Sequence, residues 1–205
     1  MLQTSPKPIT VDEFIAQYGE DPRYELIDGE LIDLEPTGLH EQVIDFLARK
    51  FHGAIDRHDL PYIIPHRCLV RVSEQTAFRP DLIILDRTRL VDEPLWQYQP
   101  VITSNIAIKL IAEVVSTNWQ NDYARKVEDY ALFGVPEYWI VDYLGLGGRD
   151  YIGQPKKPTV TQCQLVEDRY EKRLFRQKDT LVSALFTDFR LPAEAVFAAG
   201  QMGGV

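Results

Sequence analysis

Three charged residues lie where the surrounding apolar pattern predicts buried positions. Asp81 opens a short apolar run, and Glu113 lies near the end of the apolar segment 106–115. Lys126 follows on a predicted helix, beside an apolar stripe that contains Tyr123 and Tyr130. Burying such charges is costly unless they are paired or bind a metal. Mg²⁺ accepts one or two carboxylates and keeps waters, and a nearby lysine can stabilise phosphoryl charge. Together these residue types suit phosphodiester hydrolysis.

The same residues also have purely structural interpretations. Asp81 can cap a turn, and Glu113 can form a salt bridge with Lys109 or Lys126. Asp122 precedes Lys126 by four residues, which is the spacing of an ordinary ion pair on a helix. Spacing alone therefore leaves a catalytic and a structural role open.

Capping, turn and periodicity signals predict the elements that would position these residues. Thr10 and Glu13 have the spacing of a capping box at the start of a short helix. Asp28-Gly29 separates two strand-like runs, 24–27 and 30–34, which predicts a β-hairpin. Apolar residues at helical spacing predict helices over 40–56 and 118–133, the second ending before Gly134.

The remaining segments are predicted to be mainly strands and loops. The run 81–85 is continuously apolar after Asp81, which predicts a strand buried on both faces. Segments 87–104 and 145–158 carry prolines or glycines and are expected to be loops. This order predicts an α/β fold in a single domain over 1–205, with a core at about 20–145 and a C-terminal β extension at about 150–199. The predicted strands after the hairpin are 68–72, 81–85, 106–115, 138–143, 159–166 and 169–176.

Composition narrows the classes of function. The 205 residues contain 22 Lys and Arg against 31 Asp and Glu, a formal charge of −9. This balance argues against non-specific coating of nucleic acid or anionic membrane, but it allows a local basic groove. Two cysteines are too few for a disulfide framework. No apolar run is long enough for a transmembrane helix and no signal-peptide core is visible, so a soluble cytoplasmic protein is expected.

Several short motifs occur in one order that resembles a known family. This is the restriction-endonuclease-like nuclease family, abundant in cyanobacteria, within the PD-(D/E)XK nuclease superfamily. The resemblance covers roughly residues 10–145, and the combination is specific although each motif alone is not. The motifs are YELIDGEL at 24–31, His40, RPDL at 79–82, IAEVVS at 111–116, Lys126, Tyr130 and GVPEYWIVD at 134–142.

The resemblance implies a fold and an activity. It implies an αβββαβ core with a mixed central sheet flanked by helices, to which the N-terminal hairpin and the C-terminal β additions are attached. It also implies Mg²⁺-dependent hydrolysis of DNA, with Mn²⁺ as a substitute. Pro80-Asp81 matches the PD element and Glu113 the (D/E) position. Val115 stands where the motif has lysine, so Lys126 on the next helix is the matching position.

The resemblance also implies roles for particular residues. Asp81 and Glu113 would bind the metal, with the carbonyl of Val114 as a third ligand, and Lys126 would position or activate water. Glu25 and His40 are supporting candidates. Glu25 can instead be a solvent-facing strand residue, and His40 a helix N-terminal residue with a satisfied hydrogen bond.

Three functional hypotheses remain open at this point. The first is a Mg²⁺-dependent DNA endonuclease, in which homodimerisation is expected by analogy with nucleases that cut two strands. The second is a non-catalytic module that binds nucleic acid or protein, motivated by the acidic charge and the displaced lysine. The third is a nuclease acting on structured or single-stranded nucleic acid rather than on duplex DNA.

Overall fold

Short helices and strands alternate along residues 8–34 and 36–202, the part of the chain that the computed structural model describes. A 3₁₀ turn at Leu90–Asp92 and a π-helical turn at Asn121–Arg125 supplement them. In chain order the elements are α1 (Val11–Tyr18), β1 (Tyr24–Ile27), β2 (Glu30–Asp33), α2 (Gly38–Arg57), β3 (Tyr62–Ile63), β4 (Leu69–Arg71), β5 (Ala77–Phe78), β6 (Leu82–Asp86), β7 (Val101–Ile102), β8 (Ile108–Val114), α3 (Lys126–Phe133), β9 (Glu137–Asp142), α4 (Arg149–Ile152), β10 (Thr159–Val166), β11 (Arg169–Phe175), β12 (Thr180–Leu181), β13 (Leu191–Pro192) and α5 (Ala193–Ala199).

The predicted local signals are found at the ends of these elements. Thr10 caps α1, and Glu13 completes the capping box with an oxygen 2.8 Å from the Thr10 amide nitrogen. Asp28 and Gly29 have φ angles of 51° and 79° and form the turn between β1 and β2. Gly134 ends α3 at a φ of 91°, in the left-handed region that favours glycine. The capping box, the hairpin and the stop signal are thus confirmed.

The strands form two larger sheets and one two-stranded pair. The six-stranded sheet has the order β11-β10-β9-β8-β6-β3, and only its β8–β9 pair is parallel. The five-stranded sheet has the order β2-β1-β5-β4-β7 and contains the N-terminal hairpin. Strands β12 and β13 form a separate antiparallel pair. The larger sheet is therefore mixed, as expected for the predicted fold class.

Helices cover both faces of the six-stranded sheet, and this explains its apolar strands. Leu82 and Ile84 of β6 belong to a core cluster with α2 and α5. Ile83 and Leu85 belong to the opposite cluster, which contains Tyr130 of α3. Because side chains alternate along a strand, a continuously apolar strand fills both cores at once. All five residues of β6 are buried, which confirms the prediction for this strand.

The structure differs from the sequence expectation in several short segments. The expected loop 87–104 contains the 3₁₀ turn and β7, and the expected loop 145–158 contains α4. The strand predicted over 68–72 forms β4 and lies in the five-stranded sheet, not beside β6. The helix predicted over 118–133 includes the π-helical turn before α3. The 3₁₀ turn, β7 and α4 have only two to four residues each, which is too few for periodicity to reveal.

The C-terminal extension also contains a helix that the sequence analysis did not predict. Helix α5 follows β13 and buries Ala193, Val196 and Phe197 against the cluster that α2 forms on the sheet. The spacing of these three residues is helical, but the segment has only seven residues and no side-chain cap. Its stability therefore depends on packing against the sheet rather than on local signals.

We expect Gly134→Ala to destabilise the fold by about 1–2 kcal/mol, since the left-handed backbone disfavours a Cβ. That Cβ would also meet the side chain of Asn105. The matched control is Gly53→Ala inside α2, where nothing lies within 4 Å of the added atom. The control should stabilise the protein by about 0.5–1 kcal/mol. Urea unfolding midpoints of the two variants should move in opposite directions, and equal shifts would contradict the assignment.

Candidate active site

Pairing between β6 and β8 brings Asp81 and Glu113 together. The register that pairs Leu82 with Ala112 places Asp81 directly beside Glu113. The backbone N–H of Val114 donates to Asp81 Oδ2 at 2.7 Å, and the N–H of Asp81 donates to Glu113 Oε2 at 3.3 Å. Each carboxylate is thus oriented by the backbone of the other strand. The Asp81 side chain is 22% exposed, whereas that of Glu113 is 2% exposed.

Lys126 reaches this pair from the first turn of α3. Its Nζ lies 3.1 Å from Glu113 Oε1, 3.5 Å from Asp122 Oδ1 and 3.6 Å from Glu25 Oε2. Only 5% of the Lys126 side chain is exposed. Tyr130, one helical turn further on, donates its hydroxyl to Glu113 Oε1 at 3.0 Å. A buried ammonium group is therefore surrounded by three carboxylates from three different elements.

Burial and mutual repulsion determine the protonation of this cluster. Burial is the largest influence on the pKa of both Glu113 and Glu25, and it raises them above their usual values despite the attraction of Lys126. Burial alone would lower the pKa of Lys126, but the surrounding carboxylates outweigh it and raise that pKa well above its usual value. Lys126 therefore stays protonated, and the carboxylates hold their protons more tightly than in water.

His40 contacts two of the atoms that were predicted to bind metal. Its Nε2 lies 2.9 Å from the carbonyl oxygen of Val114 and 3.2 Å from Asp81 Oδ2. Burial would lower the pKa of His40, but the hydrogen bond and charge of Asp81 reverse this and raise it to about 9. Thr37 caps α2 and its side chain accepts from the His40 N–H. The position of His40 is thus compatible both with a supporting role in the site and with that of a helix N-terminal residue whose hydrogen bond is satisfied.

Glu25 lies inside the site rather than on the surface. It is 1% exposed, so the solvent-facing interpretation is wrong. The N–H of Arg79 donates to Glu25 Oε2 at 3.4 Å. Arg79 in turn donates from its guanidinium group to the carbonyl oxygens of Tyr24 and Gly19, both at 2.8 Å. Arg79 therefore fixes the hairpin that carries Glu25 against the strand that follows Asp81.

The structural interpretations that the sequence left open are realised only in part. Glu113 does pair with Lys126, whereas Lys109 lies 3.4 Å from Asp86 instead. Asp122 does pair with Lys126 at the i,i+4 spacing that was considered as a structural alternative. It is also 7% exposed and lies in the π-helical turn, inside the cluster. Its spacing from Lys126 was the available signal, but spacing could not reveal its burial.

All five residues predicted to take part in catalysis line one cavity of about 420 Å³. Within the described part of the chain, no three or more His, Cys, Asp and Glu side chains are grouped as metal ligands. Mg²⁺ needs only one or two carboxylates, and hard oxygen donors suit it. Asp81, Glu113 and the Val114 carbonyl provide such donors at one point of the cavity wall. Their chemistry fits Mg²⁺, although His40 already contacts two of the three.

Comparisons with known proteins agree with this architecture. The sequence model of the Uma2 family, described as "Putative restriction endonuclease", matches residues 11–194. A crystal structure described as a "putative nuclease belonging to DUF820" from Anabaena variabilis ATCC 29413 has a TM-score of 0.70. It is 17% identical and covers 95% of this chain and 100% of its own. That likeness shows the fold, and the predicted restriction-endonuclease-like α/β class is confirmed.

Two further findings are negative. None of the curated proteins searched matches the chain. Among residues 8–34 and 36–202, no helix is long and apolar enough to cross a membrane.

We expect Asp122 to make the stability of the protein depend on pH. Burial is the main cause that raises its pKa from 3.8 to about 6 in the folded state. The native state then holds the proton more tightly than the unfolded state does. The contribution of this proton to the free energy of unfolding is fully present below about pH 4 and is lost as pH rises through about 6. Over that range wild type should lose roughly 3 kcal/mol more than Asp122→Asn.

Urea titrations at several pH values test this expectation. Asp45→Asn, on the exposed face of α2, makes the same chemical change outside the cluster and should follow the wild-type curve. Parallel curves for wild type and Asp122→Asn would contradict the assignment of this proton to the cluster.

Proposed function

Because the chain belongs to the Uma2 family of restriction-endonuclease-like proteins, we propose that it is a Mg²⁺-dependent endonuclease that hydrolyses phosphodiester bonds of DNA. The observation that carries the proposal is the contact between Lys126 and Glu113, beside Asp81, at the wall of the cavity. A protonated lysine at paired carboxylates is an arrangement suited to holding a cation and an anionic phosphate together.

Each residue of the site has a role that its environment supports. Asp81, Glu113 and the Val114 carbonyl would hold Mg²⁺. When bound, Mg²⁺ supplies Lewis acidity that eases the ionisation of water and neutralises charge on the phosphate. Lys126 would donate hydrogen bonds to a phosphate oxygen or to the attacking water. Because its pKa is raised, Lys126 is suited to stabilising negative charge and not to accepting a proton.

Glu25 and Asp122 would act as positioning residues in this mechanism. Both contact the Lys126 ammonium group from the side, at 3.6 and 3.5 Å, and both are buried. They keep Lys126 charged and aimed at Glu113. His40, in contact with Asp81 and with the Val114 carbonyl, would orient these two metal-binding groups.

One observation favours the non-catalytic module as a second candidate. Lys126 and His40 already contact the groups that a metal would need, so the site can be held together without one. A structural ion cluster of this kind would serve the fold on its own. In that case nucleic acid or protein binding would be independent of metal and insensitive to Asp81→Asn.

We expect Asp81→Asn and Glu113→Gln each to lower Mn²⁺ affinity and plasmid nicking by at least about 100-fold, because each removes an anionic ligand. Calorimetric titration with Mn²⁺ measures binding, and Mg²⁺-supported nicking measures activity. Asp45→Asn should change neither. A wild-type protein that binds no divalent ion and nicks no plasmid, or variants that match it in both assays, would favour the non-catalytic module.

Lys126→Met should separate metal binding from catalysis. We expect Mn²⁺ affinity to be kept or increased, because a competing cation is removed. Nicking should fall by roughly 100- to 1,000-fold, because the charge that stabilises the phosphate is lost. Loss of metal affinity together with activity would contradict the role given to Lys126. Circular dichroism should establish that the variant is folded before either assay is interpreted.

A further inference from the structure

The cavity continues beyond the carboxylates as a groove that the proposed chemistry leaves unexplained. Its lining includes Ile32 and Leu34, in β2 and just after it, and Ile44 and Ala48 of α2. Ile64 and the residues that follow it also line the cavity. We propose that this groove takes a nucleic acid strand that is unpaired at the bond to be cleaved, an inference that rests on the function proposed above.

The depth of the site is the first argument for an unpaired strand. Glu113 and Lys126 line the cavity with only 2% and 5% of their side chains exposed. The volume of about 420 Å³ is at the lower end of the ~300–1,000 Å³ typical of small-molecule pockets. A single nucleotide is a ligand of that class. A nucleotide stacked and paired in a duplex would first have to leave the helix to enter.

The walls supply the second argument. Partly buried aliphatic side chains line the groove, and their exposed parts offer apolar surface to the faces of bases and to sugars. Two imidazoles, those of His52 and His66, also line it, and both residues are exposed. Histidine is one of the side chains on which unstacked bases pack in single-stranded complexes. Such surfaces are of use only to bases that are not already stacked in a duplex.

The distribution of charge supplies the third argument. Arg67 and the two imidazoles line the groove, as does Arg23, which forms an ion pair with Asp21. The guanidinium group of Arg79 is occupied by backbone carbonyls. A protein that binds a duplex through about 6–10 phosphate contacts neutralises those phosphates with lysine and arginine side chains. Here the groove offers cations for only a few phosphates, on a chain of net charge −9. A short flexible strand fits this count better than a rigid duplex.

Binding and cleavage of matched oligonucleotides test the inference. The probes are a fluorescein-labelled 20-nucleotide DNA strand that cannot pair with itself, and the same strand annealed to its complement. Glu113→Gln is used for fluorescence anisotropy so that nothing is cut, and wild type with Mg²⁺ or Mn²⁺ is used for cleavage. We expect the single strand to bind at least tenfold more tightly and to be cut at least tenfold faster than the duplex.

A pair of arginine variants locates the binding surface. In the Glu113→Gln background, Arg67→Gln should weaken single-strand binding several-fold. Arg169→Gln removes the same charge from the start of β11, which does not line the groove, and should leave binding unchanged. The logarithm of the binding constant should fall with that of salt concentration at a slope of about −1.4 to −2, as for two or three phosphates on a single strand.

The outcomes distinguish failure of the unpaired-strand inference from failure of the proposed nuclease function. Equal or faster cutting of the duplex would overturn the unpaired-strand inference and leave the nuclease proposal standing. Cleavage of neither DNA form, with no divalent-ion binding, would overturn the nuclease proposal and the inference with it. An RNA strand cut in place of the DNA strand would keep the groove assignment and overturn DNA as the substrate.

Discussion

The arrangement of the whole site depends on one buried charge, the ammonium group of Lys126. Such a charge is tolerated only where carboxylates compensate its lost hydration, and here they come from β1, from β8 and from the π-helical turn. The same contacts therefore join the five-stranded sheet, the six-stranded sheet and α3. A fold in which any of these parts moved away would leave a charge buried without a partner, which is a strong constraint on their relative positions.

Contacts outside the site support this constraint. Arg125, the residue before Lys126, pairs with Asp28 at the hairpin turn through two nitrogens, at 2.5 and 2.7 Å. Its Nε also bonds to Asp129. At the other end of β1, the Nε of Arg79 donates to the carbonyl oxygen of Tyr24. Both ends of β1 are thus held by arginines, so Glu25 has little freedom in where it presents its carboxylate.

Sequence reasoning could predict the parts of the site that follow from regular periodicity. Asp81 and Glu113 were found because both interrupt apolar strand patterns, and the register of β6 and β8 then places them side by side. Lys126 follows from helical spacing and from the family pattern. Glu25 was harder to evaluate, because its burial depends on the packing of a second sheet whose strands β5 and β7 have two residues each. Strands of that length carry no periodic signal.

The protein groups of the site do not balance their charges. Four carboxylates, those of Glu25, Asp81, Glu113 and Asp122, face two basic groups, Lys126 and His40. The pKa values of Glu25, Glu113 and Asp122 are raised, because burial disfavours their charged forms and Lys126 compensates only in part. A divalent cation held by Asp81 and Glu113 would offset this formal excess of negative charge. The charge imbalance thus supports a metal-dependent role, since a purely structural cluster would be better served by fewer acids.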